Sequence, residues 1–219
     1  MTYYTLISSL PHLPAHFDDA SRPPISRDRL NERLKLLRDD DLKVLRQLVD
    51  FIAWDRQVTD RPESDIVDHY ERLTHEIKHP LVLEVIEHRM NVRTIVSALR
   101  RRRDGLDPPS GVGSLVGPIA RRWADPQFGL QRGFPWIEDF NQKMLAGRAV
   151  AAERVLFEWS WQASTRLASQ FTFSFDAVLM YLARWSIVDR WTSRNSKLGL
   201  ERFDSMIEET LGEYATLKF

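Results

Sequence analysis

The sequence reads LVLEVIEHRMNVRTIVSALRRRR from residue 81 to residue 103. Apolar side chains recur in it every three or four positions, which is the spacing of one face of an α-helix. They are Leu83, Ile86, Met90, Ile95 and Leu99. His79-Pro80 separates this stretch from the preceding one, because a residue before proline is pushed out of the α region. We therefore predict a helix from about Leu81 to Arg103.

The same spacing extends through most of the chain on both sides of this helix. Further helices are predicted after Ser26, from Asp39, from Pro62, over about 116–123, from Trp136 to Ser169, after Ser174 and after Gly199. The helix from Asp39 is expected to bury Leu42, Leu45, Val49 and Ile52. The fold class that follows is all-α, made of helical bundle subdomains.

Two segments depart from this pattern and suggest the domain boundaries. Residues 2–7 are rich in aromatic and β-branched types, so residues 1–25 are predicted to be an extended arm. Residues 104–113 contain three glycines and two prolines and are predicted to be a linker. One helical subdomain would then span residues 26–103, and a second would span residues 114–219.

Composition restricts the possible function classes. The 219 residues include no cysteine, which excludes a disulfide framework and thiolate chemistry and agrees with a reducing, cytosolic compartment. The longest apolar run, from Ala177 to Ala183, is far below the roughly 20 residues of a membrane span. The first ten residues have no basic region, so no signal peptide is expected.

Charge is balanced overall but uneven along the chain. The 31 basic and 31 acidic side chains cancel, which argues against a dedicated nucleic-acid protein. Residues 88–103 nevertheless hold six arginines and no acid. Arg100 to Arg103, together with Arg121 and Arg122, could bind phosphates. Four arginines at a helix C-terminus also complement the helix dipole, so a structural role or a protein contact is favoured over nucleic acid. The candidate partner-contact residues are Arg89, Arg93, Arg100, Arg101, Arg102, Arg103, Trp123 and Trp136. The two tryptophans border an irregular stretch and are expected to be partly exposed.

One motif raises the alternative of a zinc hydrolase. His75-Glu76-Ile77-Lys78-His79 matches H-E-x-x-H, which places two imidazoles on one helix face with a glutamate as base. Pro80 would end the helix at the second histidine, and a third ligand is hard to identify. No catalytic, cofactor-binding or metal-binding residue is therefore predicted.

Several segments together resemble a known family. Residues 90–100 (MNVRTIVSALR) are similar to the helix signature of the C/d family of V/A-type rotary ATPases, whose members are the central-stalk connectors of the archaeal-type and vacuolar enzymes. Residues 3–11, 123–130, 181–191 and 199–203 resemble a shorter group of bacterial proteins associated with that ATPase. The resemblance touches most of the chain. It implies an all-α fold with a reduced version of the connector architecture, which comprises three similar helical bundles.

The resemblance also implies a role without catalysis or cofactors. The connector is a rotor part that receives the central shaft, sits on the cytoplasmic face of the membrane ring, and transmits torque during ion or proton transport. The expected partners are thus the shaft and ring subunits, with no nucleic acid and no direct membrane insertion. The expected location is cytoplasmic, peripheral to the membrane through the complex. Three alternatives stay open: a helical scaffold of another complex, the zinc hydrolase, and a nucleic-acid module built on Arg100 to Arg103.

Overall fold

A computed structural model describes residues 2–52 and 63–194. Within these residues the protein is all-helical, which confirms the predicted fold class. The helices are α1 (Tyr4–Ser8), α2 (Arg27–Leu34), α3 (Asp39–Ile52), α4 (Glu63–Glu76), α5 (Pro80–Arg103), α6 (Val116–Arg121), α7 (Ile137–Leu145), α8 (Ala149–Ala168) and α9, described over residues 175–194. Pro62, Gly199 and the last predicted helix lie outside the described residues.

The chain divides into two compact units. One unit contains the described residues up to Leu36 and those from Ser160 onward, and the other runs from Leu37 to Trp159. The predicted linker at residues 104–113 is non-helical, but it lies within the second unit and not between the two. The physical reason is that the chain beyond it packs back onto α5: Ile119 and Phe140 share one core with Ile95 and Leu99.

The prediction of an extended N-terminal arm over residues 1–25 is wrong at its start. Residues 4–8 form α1, and Leu6 of this helix is only 1% exposed. Strand propensity depends strongly on context, and no partner strand pairs with this segment among the described residues. The backbone N–H of Tyr3 instead donates to the carbonyl of Phe173.

The non-helical stretch between α1 and α2 is held by side chains of the later helices. Trp161 Nε1 donates to the carbonyl of Ala15 (3.2 Å), and Trp185 Nε1 donates to that of Ile25 (2.9 Å). Phe17 is fully buried and packs edge-on against Trp191. Since buried indole N–H groups need acceptors, the proline-rich segment supplies them with its carbonyls.

The predicted single helix from Trp136 to Ser169 is in fact two helices. α7 ends at Leu145, and Gly147 follows with a positive φ of 70°. The Gly147 N–H donates to the Met144 carbonyl and the Arg148 N–H to the Lys143 carbonyl. This pair of bonds is the Schellman motif, which ends a helix at a left-handed residue. α8 then begins at Ala149.

Inside the predicted helices, most expected core positions are buried. Leu30 and Leu34 of α2 and Leu37 after it are buried, and Ser174 Oγ accepts a hydrogen bond from the Ala177 N–H at the start of α9. In α3 the stripe is displaced, because the buried side chains are Leu45, Leu48 and Phe51 while Val49 is 37% exposed. No helix in the described part of the chain is long and apolar enough to cross a membrane.

Candidate functional site

Arg102, in the last turn of α5, joins that helix to the loop after α6. Its Nη1 donates to the carbonyls of Trp123 (3.2 Å) and Asp125 (2.5 Å), and its Nη2 donates to the carbonyl of Pro126. One guanidinium therefore fixes three loop carbonyls that no helix or sheet would satisfy. We call residues 122–130 the aromatic loop.

The same guanidinium lies against two aromatic rings. Its Cζ is 4.2 Å from the centroid of Phe128 and 5.8 Å from that of Trp123. The two rings are stacked, with centroids 5.6 Å apart and planes inclined by 17°. Burial lowers the pKa of Arg102, and the carboxylate of Asp125 opposes that shift. The group stays charged at neutral pH, so the cation–π contact is retained.

The aromatic loop has an unusual backbone conformation at its centre. Phe128 has a φ of 53° although it is not glycine, and its side chain is fully buried in the core of the second unit. A bulky residue in the left-handed region costs about 1–3 kcal/mol and persists only where the surroundings impose it. Gly129 follows at φ 69°, and a Cβ there would collide with the side chain of Arg122. The loop is thus a rigid feature held in one conformation.

The other predicted arginines differ from Arg102 in what they contact. Arg100 and Arg103 are exposed, and Arg103 pairs with its neighbour Asp104 at 2.7 Å. That pairing raises the pKa of Arg103 and lowers the pKa of Asp104. Arg101 is half-buried, and its Nε donates to the carbonyl of Asp107 (2.6 Å).

Further back on α5, Arg89 and Arg93 are half-buried and have partners. Two of the four consecutive arginines that end α5, Arg101 and Arg102, are therefore half-buried rather than solvated. The structure brings together only the last turn of α5 and the aromatic loop, and Arg89 and Arg93 lie about two to four turns earlier on that helix.

The two tryptophans that were predicted to be partly exposed differ in their burial. Trp123 is half-buried, as expected, at the edge of the aromatic loop. Trp136 is only 5% exposed and packs edge-on against Phe134 and Phe140, so its predicted exposure is wrong. The irregular stretch beside it folds into successive turns, and Phe134 of that stretch packs against the indole. Trp136 is a core residue of the second unit.

The H-E-x-x-H motif is not assembled on one helix face. α4 ends at Glu76, so His75 lies in its last turn, where the side chain is exposed. His79 has an extended backbone (φ −77°, ψ 116°) and stands at the N-cap of α5. Within residues 2–52 and 63–194, no group of three or more His, Asp or Glu side chains is placed to hold a metal ion.

A polar cluster that no sequence pattern predicts lies nearer the start of α5. Glu87 accepts hydrogen bonds from Tyr70 Oη (2.9 Å) and from the backbone N–H of Ser114 (3.2 Å). Ser114 also contacts Asn91 Oδ1 through its hydroxyl (3.1 Å). Burial raises the pKa of Glu87, but the hydrogen bonds outweigh it and lower the pKa overall; burial and Glu87 together raise the pKa of Tyr70 to about 12. The cluster ties α4 and the loop before α6 to α5.

The arrangement at the end of α5 is suited to binding a partner. Exposed arginines occur near this contact on α5, at the end of α6 and at the start of the aromatic loop; they are Arg100, Arg103, Arg121 and Arg122, which we call the arginine surface. A rigid support below such cations reduces the ordering cost of binding, and the cations favour an acidic partner. The signal in the sequence was the arginine run itself; nothing in it separated Arg102 from its neighbours.

Comparisons with known proteins add a family but no activity. No characterised protein and no solved structure matches the chain significantly. A family model described as a protein of unknown function, DUF2764, matches residues 6–213, which is nearly the whole chain. The chain therefore belongs to the DUF2764 family.

Proposed function

We propose that this chain is a non-catalytic connector of a V/A-type rotary ATPase, which docks through the arginine surface on an acidic face of the shaft or the membrane ring. The proposal is supported by the resemblance of residues 90–100 to the connector family and of residues 123–130 to bacterial proteins associated with that ATPase. Residues from these two segments lie in one core, where Ile95, Ala98 and Leu99 meet Phe128.

The observation that carries the proposal is the contrast between Arg102 and the exposed cations around it. Arg102 is used internally to hold the aromatic loop, whereas Arg100, Arg103 and Arg121 extend into solvent. A connector that transmits torque needs a stiff body with charged contact surfaces, and closely packed helices provide such stiffness. Charged contacts of this kind set partner choice and depend on salt.

The first experiment is purification of the chain from gently solubilised membranes of cells that naturally produce it. We expect rotary ATPase subunits to copurify at low salt and to dissociate as ionic strength rises, because exposed ion pairs are screened. The triple variant Arg100→Glu, Arg103→Glu, Arg121→Glu should copurify poorly and keep the helical circular dichroism spectrum, since Arg102 is retained. ATP-driven ion pumping should fall more than ATP hydrolysis does.

The matched control reverses the same number of charges elsewhere. Arg29→Glu, Arg46→Glu and Arg166→Glu alter exposed arginines on α2, α3 and α8, and this variant should assemble normally. If the native chain carries no ATPase subunit at low salt, the proposed role is excluded. If both triple variants assemble equally well, the arginine surface is not the contact.

A further inference from the structure

A pocket of about 160 Å³ opens on the first unit. Its walls come from α1 and the residues after it, the end of α8, the turn before α9 and one face of α9. The apolar lining consists of Ile7, Leu10, Ala168, Phe171 and Ala177. Its volume is comparable to that of an apolar cavity known to accept benzene, and because the pocket is partly open to solvent, a group of about five or six carbons can lie against its apolar side.

Three side chains of α9 that line the pocket share one helix face. Ala177, Tyr181 and Arg184 follow each other at spacings of four and three residues, which places them in a row. Tyr181 Oη donates to the carbonyl of Pro11 (3.0 Å) and is therefore fixed as a wall. Burial raises the pKa of Tyr181 to about 12, so this hydroxyl stays protonated at neutral pH.

Among the lining residues that the structure describes, Arg184 is the one cation, and no carboxylate within residues 2–52 and 63–194 balances its charge. It is half-buried, and its Nε contacts the carbonyl of Met180 at 3.4 Å in its own helix. In the described part of the chain no carboxylate pairs with it, and Nη1 and Nη2 have no acceptor. Burial lowers the pKa of Arg184, although the group stays charged. A half-buried guanidinium without a counter-ion is costly, and an anion at the pocket would offset that cost.

We propose that this pocket binds a small monocarboxylate, with its short aliphatic or monocyclic body against the apolar lining and its carboxylate on Arg184 Nη1 and Nη2. The guanidinium fork suits a carboxylate, which can accept two parallel hydrogen bonds. The volume excludes the enclosure of drug-sized ligands, whose sites span roughly 300–1,000 Å³. The proposal is independent of the ATPase role.

The test uses the full chain with labelled alanine methyl groups, because Ala168 and Ala177 both line the pocket. Isocaproate and its neutral isostere isocaproamide are titrated separately, and the methyl NMR shifts are followed. We expect isocaproate to shift both methyl signals and to bind about tenfold more tightly than the amide, as a charge-assisted hydrogen bond provides. Similar affinity of the two ligands, or no shift with isocaproate up to its solubility limit, would overturn the proposal.

Variants then test whether Arg184 binds the carboxylate and whether the ligand occupies the pocket. Arg184→Gln should remove the preference for the acid, Arg184→Lys should retain part of it, and Arg166→Gln, at an exposed arginine of α8, should leave it unchanged. Ala177→Leu fills the pocket and should abolish the shift at Ala168 without loss of the folded spectrum. If the preference survives in Arg184→Gln, the anion lies elsewhere and the assignment is wrong. The comparison of acid and amide in the unaltered chain decides the question even if Arg184→Gln does not fold.

Discussion

At the residue scale, four consecutive arginines of one helix end have different roles. Arg100 and Arg103 are exposed, Arg101 contacts a nearby carbonyl, and Arg102 holds the aromatic loop by three hydrogen bonds and two ring contacts. The difference follows from the helical turn of about 100° per residue, which points only one of the four at the loop. The four side chains carry the same charge, so charge alone does not distinguish their roles.

We expect Arg102→Ala to lower the free energy of unfolding by about 2–4 kcal/mol, because it leaves three loop carbonyls without their donor and removes a cation–π contact. Urea unfolding followed by circular dichroism measures this loss. Arg103→Ala is the control, since its partner Asp104 is equally exposed, and its stability should equal that of the unaltered chain. Equal stability of the two variants would contradict the structural role of Arg102.

At the element scale, glycines in the left-handed region decide where helices end. α5 ends before Gly105 and α7 before Gly147, and both glycines have φ near 70°. In both cases the two N–H groups after the helix donate to carbonyls of its last turn in the Schellman pattern. Gly105 stands among other helix-breaking residues, so the end of α5 is visible in the sequence. Gly147 stands between two segments of helical spacing, and the apolar pattern therefore predicts one continuous helix across it.

Gly147→Ala should lower the free energy of unfolding by about 1 kcal/mol, because an alanine at φ 70° is strained. No atom lies within 4 Å of the added Cβ, so the cost is that of the backbone alone. Gly133→Ala is the matched control: its φ is not in the left-handed region and its nearest neighbour, the Leu130 carbonyl oxygen, is at 3.9 Å. The control should be neutral or slightly stabilising in the same urea titration. A neutral Gly147→Ala would show that the α7–α8 break does not need a glycine.

At the scale of the whole molecule, the two compact units carry two different surfaces. The second unit, residues 37–159, holds the arginine surface at the end of α5 and around the end of α6, and the first unit holds the pocket with Arg184. Neither surface involves the H-E-x-x-H motif. Its two histidines lie on either side of the break between α4 and α5.

Zinc should therefore leave the stability of the molecule unchanged. We expect the melting temperature to be the same with added zinc, with chelator, and in the variant His75→Ala, His79→Ala, because a metal that binds only the folded state would raise it. Differential scanning calorimetry on the purified chain measures this. A melting temperature that falls on chelation in the unaltered chain but not in the double variant would revive the zinc hydrolase.

The sequence by itself determined the fold class and the positions of most helices. The spacing of apolar residues in α2, α3 and α5 is local information, and Pro80 and Ser174 mark helix starts through the backbone chemistry of single residues. The arginine run was equally visible. These features need no knowledge of distant contacts.

The tertiary structure alone decided which segments contact each other and which polar or aromatic side chains are buried. α1 forms where strand propensity suggested an arm, Trp136 is covered by turns that fold over it, and Arg102 finds three carbonyls more than 20 positions later in the chain. The pocket joins Ile7 to Arg184 across most of the chain length. In each case the deciding energy comes from contacts between residues far apart in sequence, which no local spacing encodes.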